Sequence, residues 1–422
     1  VNDMKTRMSV AILILLLLVL QGCSSAAEDG LPLDWLNQDS VSAGSQAVAN
    51  AVAADEYVYV TGYVSEPQQD PETAGAKNIF LQKYDPAGNR IWLQETGTPG
   101  DDYAKGISLY AGGVFVAGYT TGALPGQASL GGTDANLIKF DSQGNVTWAR
   151  QYGSGENDYV YSVAAGSSGV YSGGFTYGSL PGHTSRGGPD AFIARHDPAG
   201  NLLWTRQFGT SASDYVYSVS AGPAGIYAAG TSYGVLPGQA GSGNADGFII
   251  RYDSEGNQVW TRQFGTAADD YVNSITVAGD GIYAAGITFG SLEGYSNQGR
   301  ADAFLVKFDT TGNRLWEHQF GTAGSEFAWS VACWEEDIFV TGYTAGEFAG
   351  TSSANGYDVY VAGFDAGGNY MGTRQAGSAS DDYAKGITAG PSGVFIAGST
   401  LGVFPGQDGS PGYNAFTGKL TP

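Results

Sequence analysis

Cysteine is nearly missing from this chain. Two occur, Cys23 and Cys333. Cys23 falls at a processing site described below, which leaves Cys333 alone in the mature chain. A disulfide within the mature chain and a thiolate metal centre are therefore both excluded, and Cys333 is expected to be a buried, inert thiol. Histidine is as scarce: His183, His196 and His318. They fall at three different positions of the repeat described below, in no zinc-ligand spacing. No D-x-D-x-D-G calcium loop occurs, so no metal or cofactor is expected. No G-x-S-x-G elbow is present, and the scattered histidines support no Ser-His-Asp set. The chain reads as a non-enzyme. Positive charge is also short. Nineteen Lys and Arg stand against 41 Asp and Glu, a net charge of −22. Such a chain repels nucleic acid and anionic lipid and stays soluble. Helical periodicity is absent over any useful length.

Other features are abundant. The 422 residues include 66 glycines, 13% aromatics and only 14% charged residues. Disordered chains are poor in aromatics and β-branched residues. This composition suits many short strands joined by tight turns.

The first residues read as targeting sequence and stand outside the fold. Lys5 and Arg7 form a basic start, and Val10 to Leu20 is an unbroken apolar run. That run is too short to span a bilayer, which takes about 20 residues, but suits a signal peptide. Leu20-Gln21-Gly22-Cys23 then resembles the lipobox of bacterial lipoproteins. The resemblance implies a signal peptide over 1–22, a lipidated Cys23 and linker over 23–32, and a folded domain over 33–422. Ser24 follows the cysteine, which by analogy with Gram-negative sorting favours the outer membrane or cell surface. The expected membrane contact is the lipid itself.

Everything after residue 30 repeats with a period of 56. Trp92, Trp148, Trp204, Trp260 and Trp316 keep that spacing, as do Gly62, Gly118, Gly174, Gly230, Gly286, Gly342 and Gly398. Trp35 and Met371 read as one-residue slips of the tryptophan series at the two ends. Each copy holds four strand-like runs, seen in the fourth as Asp214 to Ser220, Gly225 to Gly230, Asp246 to Tyr252 and Gln258 to Phe264. The last two runs of a copy are joined by D-x-x-G-N, as in Asp197 to Asn201, where glycine takes the left-handed position of a bulged turn. Four strands and seven copies predict an all-β, seven-bladed β-propeller with four antiparallel strands per blade. The last copy lacks its fourth strand, and Leu33 to Gln38 matches one. The ring is expected to close by pairing this N-terminal strand with Asn414 to Leu420.

The pattern F-D-x-x-G-N-x-x-W-x-x-Q-F-G-T, followed by D-Y-x-x-S-V and G-I-Y-x-A-G, resembles the SBBP repeat of bacterial surface propellers over residues 33 to 422. The resemblance implies an envelope or extracellular propeller and carries no shared catalytic residues.

A residue type present in every blade is most simply structural, so function is sought where the copies differ. The acidic series Asp102, Asp158, Asp214, Asp270, Glu326 and Asp382, with Gln46 in the first copy, begins each first strand. It is expected to accept backbone N–H groups; a cation-holding acidic ring at the channel mouth is the alternative. A second such series, Asn78, Asp134, Asp190, Asp246, Asp302, Asp358 and Asn414, begins each third strand. One first-strand position varies sharply: Ala49, Lys105, Tyr161, Tyr217, Asn273, Trp329 and Lys385. This mixture of cations and aromatics suits a sugar, peptide or anion, with inter-blade packing as the bland alternative. Alternation of strand direction puts the long loops between second and third strands on one face, the top. The first copy's Glu66 to Glu72 is the most divergent of these loops. Variable loops on a rigid scaffold are the usual place for binding.

The leading reading is a non-catalytic binding or scaffold lipoprotein of the bacterial envelope, meeting a protein or glycan on its top face. The alternatives are an envelope enzyme acting on polysaccharide or a quinone-dependent substrate, and a lipoprotein that assists outer-membrane assembly.

Overall fold

A computed structural model describes residues 33–39, 45–65, 77–279, 281–409 and 412–420. Cys23 and the Glu66 to Glu72 loop lie outside these residues. The chain forms an all-β, seven-bladed propeller. Each blade is a four-stranded antiparallel sheet whose first strand is innermost.

Blade 1 comprises β2 (Gln46–Ala54), β3 (Val58–Ser65), β4 (Lys77–Tyr84) and β5 (Arg90–Thr96). Blade 2 comprises β6 (Asp102–Tyr110) to β9 (Val146–Tyr152), and blade 3 β10 (Asp158–Gly166) to β13 (Leu202–Phe208). Blade 4 runs from β14 (Asp214–Gly222) to β17 (Gln258–Phe264), and blade 5 from β18 (Asp270–Ala278) to β21 (Arg314–Phe320). Blade 6 runs from β22 (Glu326–Trp334) to β25 (Tyr370–Ala376). Blade 7 joins β26 (Asp382–Gly390), β27 (Gly393–Thr400) and β28 (Asn414–Leu420) to β1 (Leu33–Asp39). The N-terminal strand pairs antiparallel with β28, with Leu36 opposite Gly418 and Gln38 opposite Phe416. The ring therefore closes as the sequence predicts, and the seventh blade has four strands like the others.

The repeat explains what holds adjacent blades. Each outer-strand tryptophan reaches the D-x-x-G-N turn of the next blade. Trp148 Nε1 donates to the Pro198 carbonyl, Trp204 to Ser254 and Trp260 to Thr310, at 3.1–3.2 Å. The turn glycine lies flat on the ring. Gly200 has φ +84°, and a Cβ there would lie 2.9 Å from Trp148. Glycine is thus required both for the left-handed turn and for the approach. The turn aspartates are fully committed: Asp197 Oδ1 accepts from the Ala199 and Asn201 backbone, and Oδ2 from the Asn201 amide.

The seam between blades 7 and 1 uses the same devices. Trp35 Nε1 donates to the Pro86 carbonyl at 3.1 Å, and Gly88 lies against its ring. Gln38 takes the place of Gln151, Gln207, Gln263, Gln319 and Gln375. In blade 2, Gln151 accepts from Leu124 N and donates to the Gly122 carbonyl. In blade 7, Gln38 accepts from Phe404 N and donates to the Gly402 carbonyl, both at 2.9 Å.

One departure from the repeat has a topological cause. Register places Gly372, not Met371, in the tryptophan position of blade 6: Gly363 opposes Gly372 as Arg195 opposes Trp204. The slip read at Met371 is therefore a replacement. The Arg or Lys that faces the tryptophan in the other blades is also glycine here. In other blades this pair embraces the next blade's D-x-x-G-N turn. Blade 7 has no such turn, because its third and fourth strands come from opposite ends of the chain. The tryptophan and its cation have nothing to cover. A cleft of about 400 Å³ lined by Phe339, Val361, Met371 and Leu420 takes their place.

Candidate channel site

The first strand of every blade carries a β-bulge at one position. In blade 3 the pairing runs Val160↔Gly174, then Ser162↔Gly173, and skips Tyr161. The skipped residues in the other blades are Lys105, Tyr217, Asn273, Trp329 and Lys385. These are the variable residues of the sequence. A bulge leaves its extra residue unpaired and re-aims its side chain. Here the bulge turns this sharply varying position into a shared central cavity of about 970 Å³, lined by all six of these side chains.

Blade 1 corrects the sequence alignment. Its bulge falls between Ala49 and Ala51, so Asn50, not Ala49, completes the ring and lines the cavity. The β2–β3 hairpin is one residue shorter than its counterparts, which shifts β2 by one. The same shift puts Ala47, opposite Val64, in the place assigned to Gln46. The first blade therefore has no member of the acidic series.

The periodic glycines mark the bulges. A Cβ at Gly174 would lie 1.7 Å from the Tyr159 carbonyl, and at Gly118 1.8 Å from that of Tyr103. In blade 1 the carbonyl against Gly62 is that of Val48. The glycine series in the sequence was thus a signal for the bulge, and the blade 1 contact reveals its one-residue shift. After the bulge comes serine in four blades. Ser162 Oγ accepts from Val219 N of the next blade, and Ser218, Ser274 and Ser330 repeat the contact. Blades 2 and 7, which carry the lysines, have Gly106 and Gly386 instead.

The ring is chemically divided. Lys385, Asn50 and Lys105 are consecutive around the channel, on blades 7, 1 and 2. Asn50 Nδ2 donates to the Ala104 carbonyl at 2.8 Å, and its Oδ1 lies 3.5 Å from Lys385 Nζ. Lys105 Nζ sits 5.6–6.0 Å from the ring centres of Tyr63, Tyr103, Tyr119 and Tyr161. These ring faces attract a cation. Burial and then the charges of Lys385 and Lys77 push the Lys105 ammonium down to about 8. Burial alone brings Lys385 to about 8. The far side is aromatic. Tyr217 stacks on Tyr215 and meets Tyr161 edge-on at 5.8 Å. Trp329 is 38% exposed and lies nearly parallel to Tyr343, 6.2 Å away. Asn273 Nδ2 donates to the Ala328 carbonyl of the next blade, as Asn50 does to the Ala104 carbonyl.

The acidic series sits elsewhere. Asp102, Asp158, Asp214, Asp270, Glu326 and Asp382 are buried, and none lines the cavity. Each closes the loop before its own strand. Asp214 accepts from the Thr210 N–H at 2.6 Å and from the Thr210 and Ser232 hydroxyls. Asp382 accepts from Ser378 N at 2.6 Å. Burial raises the pKa of all six, Asp382 to about 6. The second acidic series is similarly committed: Asp190 accepts from Arg186 N and the Gln207 amide. No group of three metal-ligating side chains occurs among the described residues. Cys333 is partly buried, and burial lifts its thiol to about 12.

No family model matches the chain. Over 381 residues it is 27% identical to the Regulatory protein FlaEY of Caulobacter vibrioides, covering 78% of this chain. The chain spans only 38% of that relative's length. Among solved structures it resembles the Pan2 WD40 domain of Neurospora crassa, with a TM-score of 0.53 and 10% identity. That match covers 94% of this chain and 99% of the other. Drosophila Plexin A in complex with Semaphorin 1b matches with a TM-score of 0.51 and 8% identity, over 93% and 88% of the two chains. These likenesses show the propeller fold, which is compatible with a binding or scaffold role and with a chain that does no chemistry.

Proposed function

We propose that this propeller is a non-catalytic binding protein of the bacterial envelope, anchored by lipid at Cys23, with its ligand site in the central channel. One observation carries the site. Seven bulges turn one sharply varying position of the inner strands into one cavity. Packing alone has no need of lysine, asparagine, tyrosine and tryptophan at symmetry-related places. The cavity volume suits a small ligand. Asp269 is the one carboxylate among the described residues that line it. The flanking pair of acids that glycoside hydrolysis uses is not found there, which favours binding over the polysaccharide-enzyme reading. A relative with a regulatory name also fits a chain that works by binding.

The site is tested by a screen of glycans and metabolites against the full chain, repeated with Tyr217→Ala. A ligand whose affinity drops at least tenfold in the variant supports the channel. Ligands that bind with undiminished affinity would move the site elsewhere.

The anchor rests on the sequence alone and has its own test. Cys23→Ala is expected to move nearly all of the protein from the membrane pellet to the soluble fraction. Retention of the variant in the pellet refutes lipidation as the attachment.

A further inference from the structure

We infer that the channel ligand is an anionic saccharide, held by its carboxylate or phosphate between Lys105 and Lys385 and by a sugar face against Trp329. The inference rests on the channel reading and names its ligand class.

The cationic side is out of place in this protein. The chain has more than twice as many acidic as basic residues, yet two lysines share one cavity with a single asparagine between them. Lys77, the next cation, is already paired with Asp101 at 3.7 Å and hydrogen-bonded to Tyr103. Lys105 has ring faces around it but no oxygen acceptor within hydrogen-bond distance among the described residues. Lys385 has only the Asn50 amide oxygen at 3.5 Å. Two like charges under partial burial raise each other's cost, and an anion placed between them removes it. Stability alone would favour a neutral residue at either place, since the other blades carry tyrosine, asparagine or tryptophan there. The same heptapeptide, Asp-Asp-Tyr-Ala-Lys-Gly-Ile, occurs at 101–107 and 381–387 and in no other blade. The pair is therefore a matched device across blade 1.

Trp329, on blade 6 next to Lys385 on blade 7, supplies the second half of the site. Tyr343 covers one face of Trp329, and the indole is one of the exposed large side chains lining the cavity, with Phe289 and Tyr413. An exposed indole with one face fixed is a platform for the weakly positive C–H face of a sugar ring, which meets the negative π face. Asn273 and Ser330 line the cavity beside the platform, where sugar hydroxyls need partners.

The test uses the purified full chain and four probes: trigalacturonate, glucose 6-phosphate, a neutral galactose trisaccharide and inorganic phosphate. Calorimetry and tryptophan fluorescence are the readouts. At least one anionic sugar is expected to bind ten times more tightly than the neutral trisaccharide and than inorganic phosphate. Comparison of trigalacturonate with glucose 6-phosphate shows whether the anion is a carboxylate or a phosphate. Lys105→Met and Lys385→Met should each weaken the anionic sugar at least tenfold, while Lys105→Arg retains binding. Trp329→Ala should weaken the anionic sugar as well. The inference is overturned if neutral and anionic sugars bind equally, if the lysine variants bind like the parent, or if none of the sugars binds. Binding of a different ligand, lost in Tyr217→Ala, would preserve the channel reading while rejecting this one.

Discussion

A chain that starts at residue 40 is expected to lose its monomeric fold. Removal of β1 strips the outer strand from blade 7 and leaves the β28 edge bare. It also removes three seam contacts at once: Trp35 on the Gly88 turn, Asn37 on the Gly88 carbonyl, and Gln38 between Phe404 and Gly402. An exposed strand edge pairs with other copies. Size-exclusion chromatography should show aggregates, and far-ultraviolet melting should lose its single transition. A peptide of residues 31–40 added in excess should restore part of the monomer, because the slot it fills is otherwise complete. Within the full chain, Gln38→Ala should cost about 1–3 kcal/mol, the cost of leaving buried polar partners unsatisfied. A truncated chain that stays monomeric with an unchanged melting temperature would refute the closure argument.

Much of this was legible in the sequence because each blade states the same rules. The D-x-x-G-N turns, the strand runs Asp246 to Tyr252 and Gln258 to Phe264, and the role of Trp35 all follow from local chemistry. What the sequence concealed were departures that cancel in a count. In blade 1 the hairpin loses one residue, the segment from Gln38 to Asn50 gains two and β1 sits one residue early, so Gly62 keeps its place in the series while Asn50 leaves it. At the other end, Met371 reads as a slipped tryptophan, whereas the register places Gly372 there. Its meaning is topological: no turn follows it to be covered. The bulges leave no mark on the strand residues themselves. Their trace is in the neighbouring strand, as glycines too close to a carbonyl to bear a side chain. The contrast between the lysines and the aromatics was visible residue by residue, but the order that places Lys385, Asn50 and Lys105 side by side depends on ring closure.

The buried acidic series has a cost that a single substitution exposes. Asp382→Asn is expected to gain stability relative to the parent as pH rises from 5 to 8. Burial raises the Asp382 carboxyl to about 6 in the folded chain, ahead of a smaller repulsion from Asp358. The hydrogen bonds from Thr400 and Ser378 pull the other way and only partly offset this. A carboxyl whose folded pKa lies above its unfolded value favours folding while protonated. Its contribution is full below the unfolded value of 3.8 and is lost as pH rises through about 6. The asparagine variant has no proton to lose, so its stability relative to the parent should climb by about 1–2 kcal/mol over this range. Other titrations are common to both proteins and cancel in the difference. They include His196, held near 4 by burial, and the turn aspartates, whose Asn partners keep their carboxyls low. The effect should persist in high salt, because a desolvation cost is not screened as surface repulsion is. Denaturant unfolding of both proteins at pH 5, 6.5 and 8 measures the difference directly. A constant difference across that range would show that the Asp382 carboxylate is as well solvated by its Ser378 and Thr400 partners as by water.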